Sequence, residues 1–232
     1  MTLKDHAQIY DARKRLRIAG VSCLPGPLSR VQRLLRLSPS ILVGDVRKSW
    51  DLWLTFDYLY NHCARDDHIV DFGAFASELP LTLRRAGFST LTAIDLNTKL
   101  PQMPHADQIS YRVDDFLASG LPSGCARAIT AISVIEHGLD IPRLLDEVSR
   151  VLGPHGTFIA SFDYWAQKID TSGERLFDMT WDILSREQVG ELIDTAANHG
   201  LRTIGELDFS VKDAVIDYAG YRYTFAWLAL ER

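Results

Sequence analysis

The stretch from His68 to Asp95 constrains this chain most. HIVDF carries an acid, Asp71, next to its end, and the small-residue turn GAFAS leads into a short helix that closes near Gly87. A second apolar run, FSTLTAID, then ends in Asp95. Strand, tight turn, helix and strand make the crossover unit of an α/β sheet, and its first turn falls at the carboxyl edge, where ligands bind. The alternation continues through ISYRV (109–113), ARAITAIS (126–133) and GTFIASF (156–162). Such β-branched runs suit strands covered on both faces.

The intervening helices carry their own punctuation. DIPRLLDEVSRVLG has Asp140 to cap its start, Pro142 in the first turn and Gly153 to stop it. SREQVGELIDTAANHG pairs Ser185 with Gln188 as a capping box and ends at Gly200. The tail reads as two final strands, LRTIGELDFS and YRYTFAWLALE, separated by a polar stretch.

Residues 1–65 lie outside this pattern and read as a basic, aromatic helical extension or cap. LSRVQRLLRLS sets Val31, Leu34 and Leu35 on one helical face and Arg30, Arg33 and Arg36 on another, after the break at Pro25 and Pro27. VRKSWDLWLTFDYLYNH (46–62) predicts an aromatic helix. The first forty residues hold eight basic side chains against Asp5 and Asp11, while the whole chain of 232 residues is acidic at −5. A basic arm on an acidic body can meet a phosphate-bearing partner or dock on its own domain, and the acidic body argues against extended nucleic-acid binding.

Other classes are set aside on composition. No apolar run is long enough to span a bilayer, and the N-terminus lacks a signal-peptide core. Three scattered cysteines (Cys23, Cys63, Cys125) without a CxxC pair suit reduced thiols, so a cytoplasmic location is expected. The histidines show no metal-ligand spacing, and no metal site is expected.

Asp71-Phe-Gly73-Ala74-Phe75-Ala-Ser77 after a strand, Asp95-Leu96-Asn97 after the next, and SVIEH (133–137) followed by a helix and RVLGPHG together resemble the class I S-adenosylmethionine-dependent methyltransferases. The resemblance spans about residues 66–232, the expected catalytic domain. It implies a doubly wound, seven-stranded, mostly parallel Rossmann-like sheet and S-adenosylmethionine as cofactor. Only the first glycine of the family's D-x-G-x-G-x-G turn is kept, with Phe75 and Ser77 in place of the others.

By the same resemblance Asp71, Gly73, Ala74 and Phe75 would form the cofactor turn, and Asp95 with Leu96 would hold the ribose. Asp115 with Phe116 would take the adenine, with Asp114 as the alternative acid, and Ser133 with Val134 would lie beside the methionine portion. A proton-accepting side chain would come from His137, Asp163 or Tyr164 at the carboxyl edge of strands four and five. His137 has an equal claim to a bracing role. The aromatic residues near Trp50 and Trp53 and the loop after Asp163 suit a small molecule or a carrier-linked sugar as acceptor.

Two other readings stand beside this one. The domain could be a methyltransferase-like interaction module without activity. Less favoured is an NAD(P)-dependent dehydrogenase, suggested by Tyr164-Trp-Ala-Gln-Lys168.

Overall fold

The computed structural model describes residues 1–24, 41–176 and 178–232. The helix expected around Val31–Leu35, with Arg30, Arg33 and Arg36, lies outside the described residues. Helix α1 spans His6–Ile18 and α2 spans Ser49–His62, the latter entered through a short 3-10 turn, Val46–Lys48. The aromatic helix thus starts three residues later than its apolar pattern suggests, because Asp45 accepts a hydrogen bond from the Arg47 amide and tightens the first turn.

From His68 the chain alternates as its periodicity requires. It runs β1 (His68–Phe72), α3 (Leu79–Arg85), β2 (Thr90–Asp95), β3 (Ser110–Val113), β4 (Ala126–Ile132), α4 (Ile141–Val151) and β5 (Leu152–Tyr164). A small hairpin follows, β6 (Arg175–Leu176) and β7 (Met179–Thr180). Then come α5 (Arg186–Asn198), β8 (Arg202–Thr203), β9 (Ile216–Tyr218) and β10 (Tyr221–Glu231).

The main sheet runs β3-β2-β1-β4-β5-β10-β8, with β9 paired to the start of β10. Strands β1 to β5 are parallel, and β10 runs antiparallel to β5 and β8. This is the doubly wound, mostly parallel sheet that the resemblance implied. Every parallel strand therefore ends at one edge, and the turns after Phe72, Asp95, Val113, Ile132 and Tyr164 gather there.

Local signals account for the helix ends. Asp140 accepts from the Arg143 amide at 3.1 Å, and both halves of the Ser185–Gln188 capping box are formed. Helix α4 ends before Gly153, because the chain turns directly into β5 at Leu152. The tail departs further from expectation. Most of LRTIGELDFS is not strand, since Gly205 takes a φ of +72° and Glu206 and Asp208 face solvent.

The sheet buries two faces. On the first, Ile69, Ile159, Phe225 and Trp227 pack against Ile9 and Leu16 of α1 and Leu52, Phe56 and Leu59 of α2. On the second, Val70, Phe72, Phe158 and Phe162 pack against Leu144, Leu145 and Val148 of α4 and Val189 and Leu192 of α5. Complete burial of a leucine such as Leu16 or Leu59 contributes about 1.5–3 kcal/mol.

The N-terminal extension is thus part of the core. Residues 1–3 also lie alongside β10, where the Leu3 amide donates to Phe225 O and the Trp227 amide to Met1 O. The extension is further anchored by a buried ion pair. Arg13 Nη1 and Nη2 donate to Glu78 Oε1 and Oε2 at 2.8 Å each, while Arg13 Nε reaches Ser49 Oγ at 2.9 Å.

Removing one partner of a buried ion pair strands the other charge, which costs about 3–5 kcal/mol. Arg13→Ala is therefore expected to lower the unfolding free energy by about that amount in urea titrations. Arg15→Ala, which breaks a solvent-exposed pair with Asp11, is expected to change it by less than about 1 kcal/mol.

Candidate functional site

Asp95, the last residue of β2, organises the first half of the carboxyl edge. Its Oδ2 accepts from the Phe75 amide at 2.9 Å and its Oδ1 from the Asn97 amide at 2.8 Å. The Gly73 and Ala74 amides donate to Ile94 O, and the Asp114 amide donates to Asp95 O. One short segment thereby ties together the turns that leave β1, β2 and β3. Beside it Leu96 stands 61% exposed, a large apolar side chain at the mouth.

Gly73 is required twice over. Its φ is +69°, and a Cβ there would come within 2.5 Å of Val134 Cγ2. Val134 is buried, so the turn after β1 and the turn after β4 touch through that contact. Phe75 needs no glycine, because the residue that takes positive φ is Ala76, at 60°. The Phe75 side chain packs against the first-face core. The Ala76 carbonyl accepts from the Gly44 amide at 2.9 Å, which brings the segment before α2 to the same turn. Ala74 is fully buried.

Asp71, at the end of β1, is buried, and Thr130 Oγ1 donates to its Oδ1 at 2.6 Å. Burial pushes its carboxyl pKa up to about 7, against the smaller lowering effect of the Thr130 and Ser77 hydroxyls.

Asp115 is half-exposed and caps the short 3-10 turn Phe116–Ala118, its Oδ1 accepting from the Leu117 amide at 2.9 Å. Asp114 accepts from Arg112 Nη2 at 2.9 Å. Phe116 turns inward and stacks on Phe72 with centroids 5.4 Å apart. It is part of the second-face core and is not offered to a ligand ring.

The second half of the edge is a buried polar cluster that draws on five elements. Lys48 comes from the 3-10 turn before α2, Asp51 from α2, Glu136 from the turn after β4, Asp163 from β5, and Tyr223 from β10. Lys48 Nζ lies 2.5 Å from Asp51 Oδ2 and 3.6 Å from the Phe225 ring centroid. Ser161 Oγ donates to Asp51 Oδ2 at 2.8 Å, and Trp181 Nε1 donates to Asp163 Oδ2 at 2.8 Å.

Burial works against the Lys48 charge, but Asp51, Asp163 and Glu136 outweigh it and the ammonium pKa is raised. Glu136 is 2% exposed, and its Oε2 has no hydrogen-bond partner. Burial raises its pKa, Asp163 raises it further, and Lys48 opposes both. Asp163 is raised by burial as well, with Lys48 again opposing. Two adjacent carboxyl groups that each resist ionisation are suited to holding a single proton between them.

Of the three expected proton acceptors, the structure brings only Asp163 into this cluster. His137 lies under the β6–β7 hairpin, bonded to the Thr180 backbone, and burial lowers its pKa. Tyr164 points to the opposite face of the sheet, fully buried, and its hydroxyl donates to Phe209 O at 2.9 Å. The alternation of side chains along β5 forces this, since Asp163 and Tyr164 are consecutive. Lys168 binds the Asp182 carboxylate at 2.5 and 2.7 Å, so Tyr164 and Lys168 form no dehydrogenase pair.

Ser133, at the tip of β4, holds a φ of 57° while its amide donates to Ser161 O at 2.9 Å. Positive φ in a residue with a side chain is held only where its surroundings impose it. Lys48, Asp51 and Tyr223 carried no sequence motif. A lysine and an aspartate three apart at the start of an otherwise aromatic helix were the only signal.

Residues 70–160 match the family described as a methyltransferase domain. No curated protein sequence matches the chain. Among solved structures, a putative sarcosine dimethylglycine methyltransferase from Galdieria sulphuraria superposes with a TM-score of 0.58 at 15% identity, covering 88% of this chain and 97% of that one. The cyclase SpnF superposes with a TM-score of 0.57 at 16% identity, covering 99% and 97%. Geranyl diphosphate C-methyltransferase from Streptomyces coelicolor A3(2) gives 0.56 at 15% identity, covering 77% and 78%.

Residues 70–160 thus resemble a methyltransferase domain, and the chain shares the Rossmann-like fold of these structures. At these identities the solved structures establish the fold alone. Among the described residues no helix is long and apolar enough to cross a membrane, and no three His, Cys, Asp or Glu side chains are grouped to hold a metal ion.

Two outcomes follow. Gly73→Ala is expected to cost about 1–3 kcal/mol of stability through the forced displacement of Val134, more than Gly87→Ala, whose Cβ would meet nothing within 4 Å. The raised Asp71 pKa makes its contribution to stability largest at low pH. Between about pH 4 and 7 the unfolded chain releases a proton that the folded one keeps, and stability falls. Asp71→Asn should flatten that part of a urea-derived stability profile and leave the slope above pH 7 unchanged.

Proposed function

We propose that this protein is an S-adenosylmethionine-dependent methyltransferase acting on a small molecule or a carrier-linked sugar, with residues 66–232 as the catalytic domain and residues 1–65 as its cap. The observation that carries the reading is the union at one sheet edge of the Gly73 turn, the Asp95 carboxylate and the buried Glu136–Asp163 pair. A fold alone would not separate methyl transfer from other chemistry, since a cyclase has a similar structure.

The residues fit the cofactor. Asp95 is partly exposed and keeps lone pairs free for two ribose hydroxyls after accepting its backbone bonds. Leu96 would cover the adjoining ring. Asp115 would meet the adenine amino group, without Phe116 as its apolar partner. Asp71, Gly73, Ala74 and Phe75 would shape the turn around the bound molecule, and Ser133 and Val134 would flank its methionine portion. When bound, S-adenosylmethionine supplies an activated methyl group. What remains for the chain is to align the acceptor, keep water out and take up a proton.

Asp163, sharing a proton with Glu136, is the acceptor of that proton in this reading, and His137 braces the loop above it. Tyr164 has a structural role, because its hydroxyl is committed on the far face. The cap contributes directly, since Lys48 and Asp51 come from it.

Calorimetric titration with S-adenosylmethionine and S-adenosylhomocysteine tests the cofactor. Saturable binding is expected, weakened at least about tenfold by Asp95→Ala, the loss of a charged group's hydrogen bonds to the ligand being about 1.5–3 kcal/mol. No binding of either ligand at millimolar concentration would overturn the reading.

A further inference from the structure

The turn after β1 is held in place by the N-terminal extension. The Gly44 amide donates to Ala76 O at 2.9 Å. Glu78, the residue before α3, is gripped on both carboxylate oxygens. Its Oε1 accepts from Arg13 Nη1 at 2.8 Å and from the Cys23 amide at 2.7 Å, and its Oε2 accepts from Arg13 Nη2 at 2.8 Å. Arg13, Cys23 and Gly44 all belong to the extension. The packing is close, since a Cβ at Gly44 would lie 2.7 Å from Glu78 Oε2 and 3.0 Å from Leu24 Cδ2.

These bonds fix the shape of the turn. Ala76 holds a φ of 60°, and positive φ in a residue with a side chain persists only where its surroundings impose it. The adjacent Phe75 amide is the donor to Asp95 Oδ2 at 2.9 Å. A chain that relaxes at Ala76 carries the Phe75 amide with it and releases the carboxylate placed for the ribose. Influence therefore runs from Gly44 to Ala76, to Phe75 and to Asp95. Glu78 fixes the other end of the turn, where α3 begins. Its carboxylate and the Arg13 guanidinium are both buried, and neither can leave without stranding the other's charge.

We infer that Arg13, Gly44 and Glu78 are positioning residues for S-adenosylmethionine, so that docking of the extension and binding of the cofactor reinforce each other. This rests on the reading of the Gly73 turn and Asp95 as the cofactor site. The three residues act through the turn, which they hold in its binding-competent form, and not by contact with the ligand. Linkage makes the effect reciprocal, because a ligand that prefers the held turn also holds the extension. The same extension carries Lys48 and Asp51 to the ends of β4 and β5, so an occupied cofactor site also steadies the acid cluster.

Amide hydrogen exchange of the full chain tests the coupling, with and without S-adenosylhomocysteine at about a hundred times its dissociation constant. Exchange at the Cys23 and Gly44 amides is expected to slow at least about tenfold with ligand, within the roughly hundredfold that such saturation allows. Two variants separate positioning from general stability. Gly44→Ala and Gly20→Ala both place a side chain at positive φ, +79° and +73°, but a Cβ at Gly20 would meet nothing within 4 Å. Gly44→Ala is expected to weaken S-adenosylhomocysteine binding at least about tenfold in calorimetry, and Gly20→Ala to leave it within about twofold. Binding to the wild-type chain with unchanged exchange at Cys23 overturns the inference and leaves the cofactor reading standing. A folded Gly44→Ala that binds like the wild type does the same, and if that variant fails to fold the wild-type exchange at Cys23 decides. A wild-type chain that binds no S-adenosylhomocysteine overturns the cofactor reading and this inference with it.

Discussion

The contact between Gly73 and Val134 is the constraint on which the carboxyl edge depends. The turn after β1 has to pass close over the turn after β4, and the space between them admits no Cβ at residue 73. With that approach made, the Gly73 and Ala74 amides reach Ile94 and the Phe75 amide reaches the Asp95 carboxylate. The ends of β1, β2 and β3 are thereby locked in one arrangement, and Ser133 is held at its positive φ beside them. A loop set by so many backbone bonds has little freedom left to lose when a ligand arrives, which favours tight binding.

The N-terminal extension has two tasks that its basic character conceals. Its apolar residues complete the first-face core, and its charged residues enter the interior. Arg13 closes the start of α3 through Glu78, immediately beyond the turn that Gly44 touches. Lys48 and Asp51 reach the ends of β4 and β5. Such groups are costly to bury and must be paired, so the docking of the extension and the electrostatics of the site are one problem. A displaced extension would take Arg13 from Glu78 and Lys48 from beside Asp163 together.

The acid pair and the Trp181 ring belong to one packed unit. Burial resists the ionisation of both Glu136 and Asp163, and Lys48 opposes it at each. Trp181, supplied after the β6–β7 hairpin, binds Asp163 directly and so connects the loop after β5 to the acid pair. The hairpin packs over His137 so closely that a side chain at Gly138 would strike Thr180 Oγ1. That packing holds His137, which follows Glu136 in sequence, against the Thr180 backbone.

Much of the architecture was legible in the sequence because it is encoded over a few residues at a time. The period of the strands, the Asp140 and Ser185 caps and the acid at each strand tip depend only on near neighbours, and they established the α/β alternation and the edge where a ligand would bind. The sequence alone likewise placed Gly73 and Asp95 in one unit, since a single helix separates them. The tertiary structure alone decided which charges meet. Asp51 and Ser161 are 110 positions apart, and Trp227 reaches Thr55 across 172. Only the docking of α2 on the first face of the sheet brings such pairs together. It also decided between Asp163 and Tyr164: alternation separates consecutive residues, but which side faces the cluster is determined by the helices that pack there.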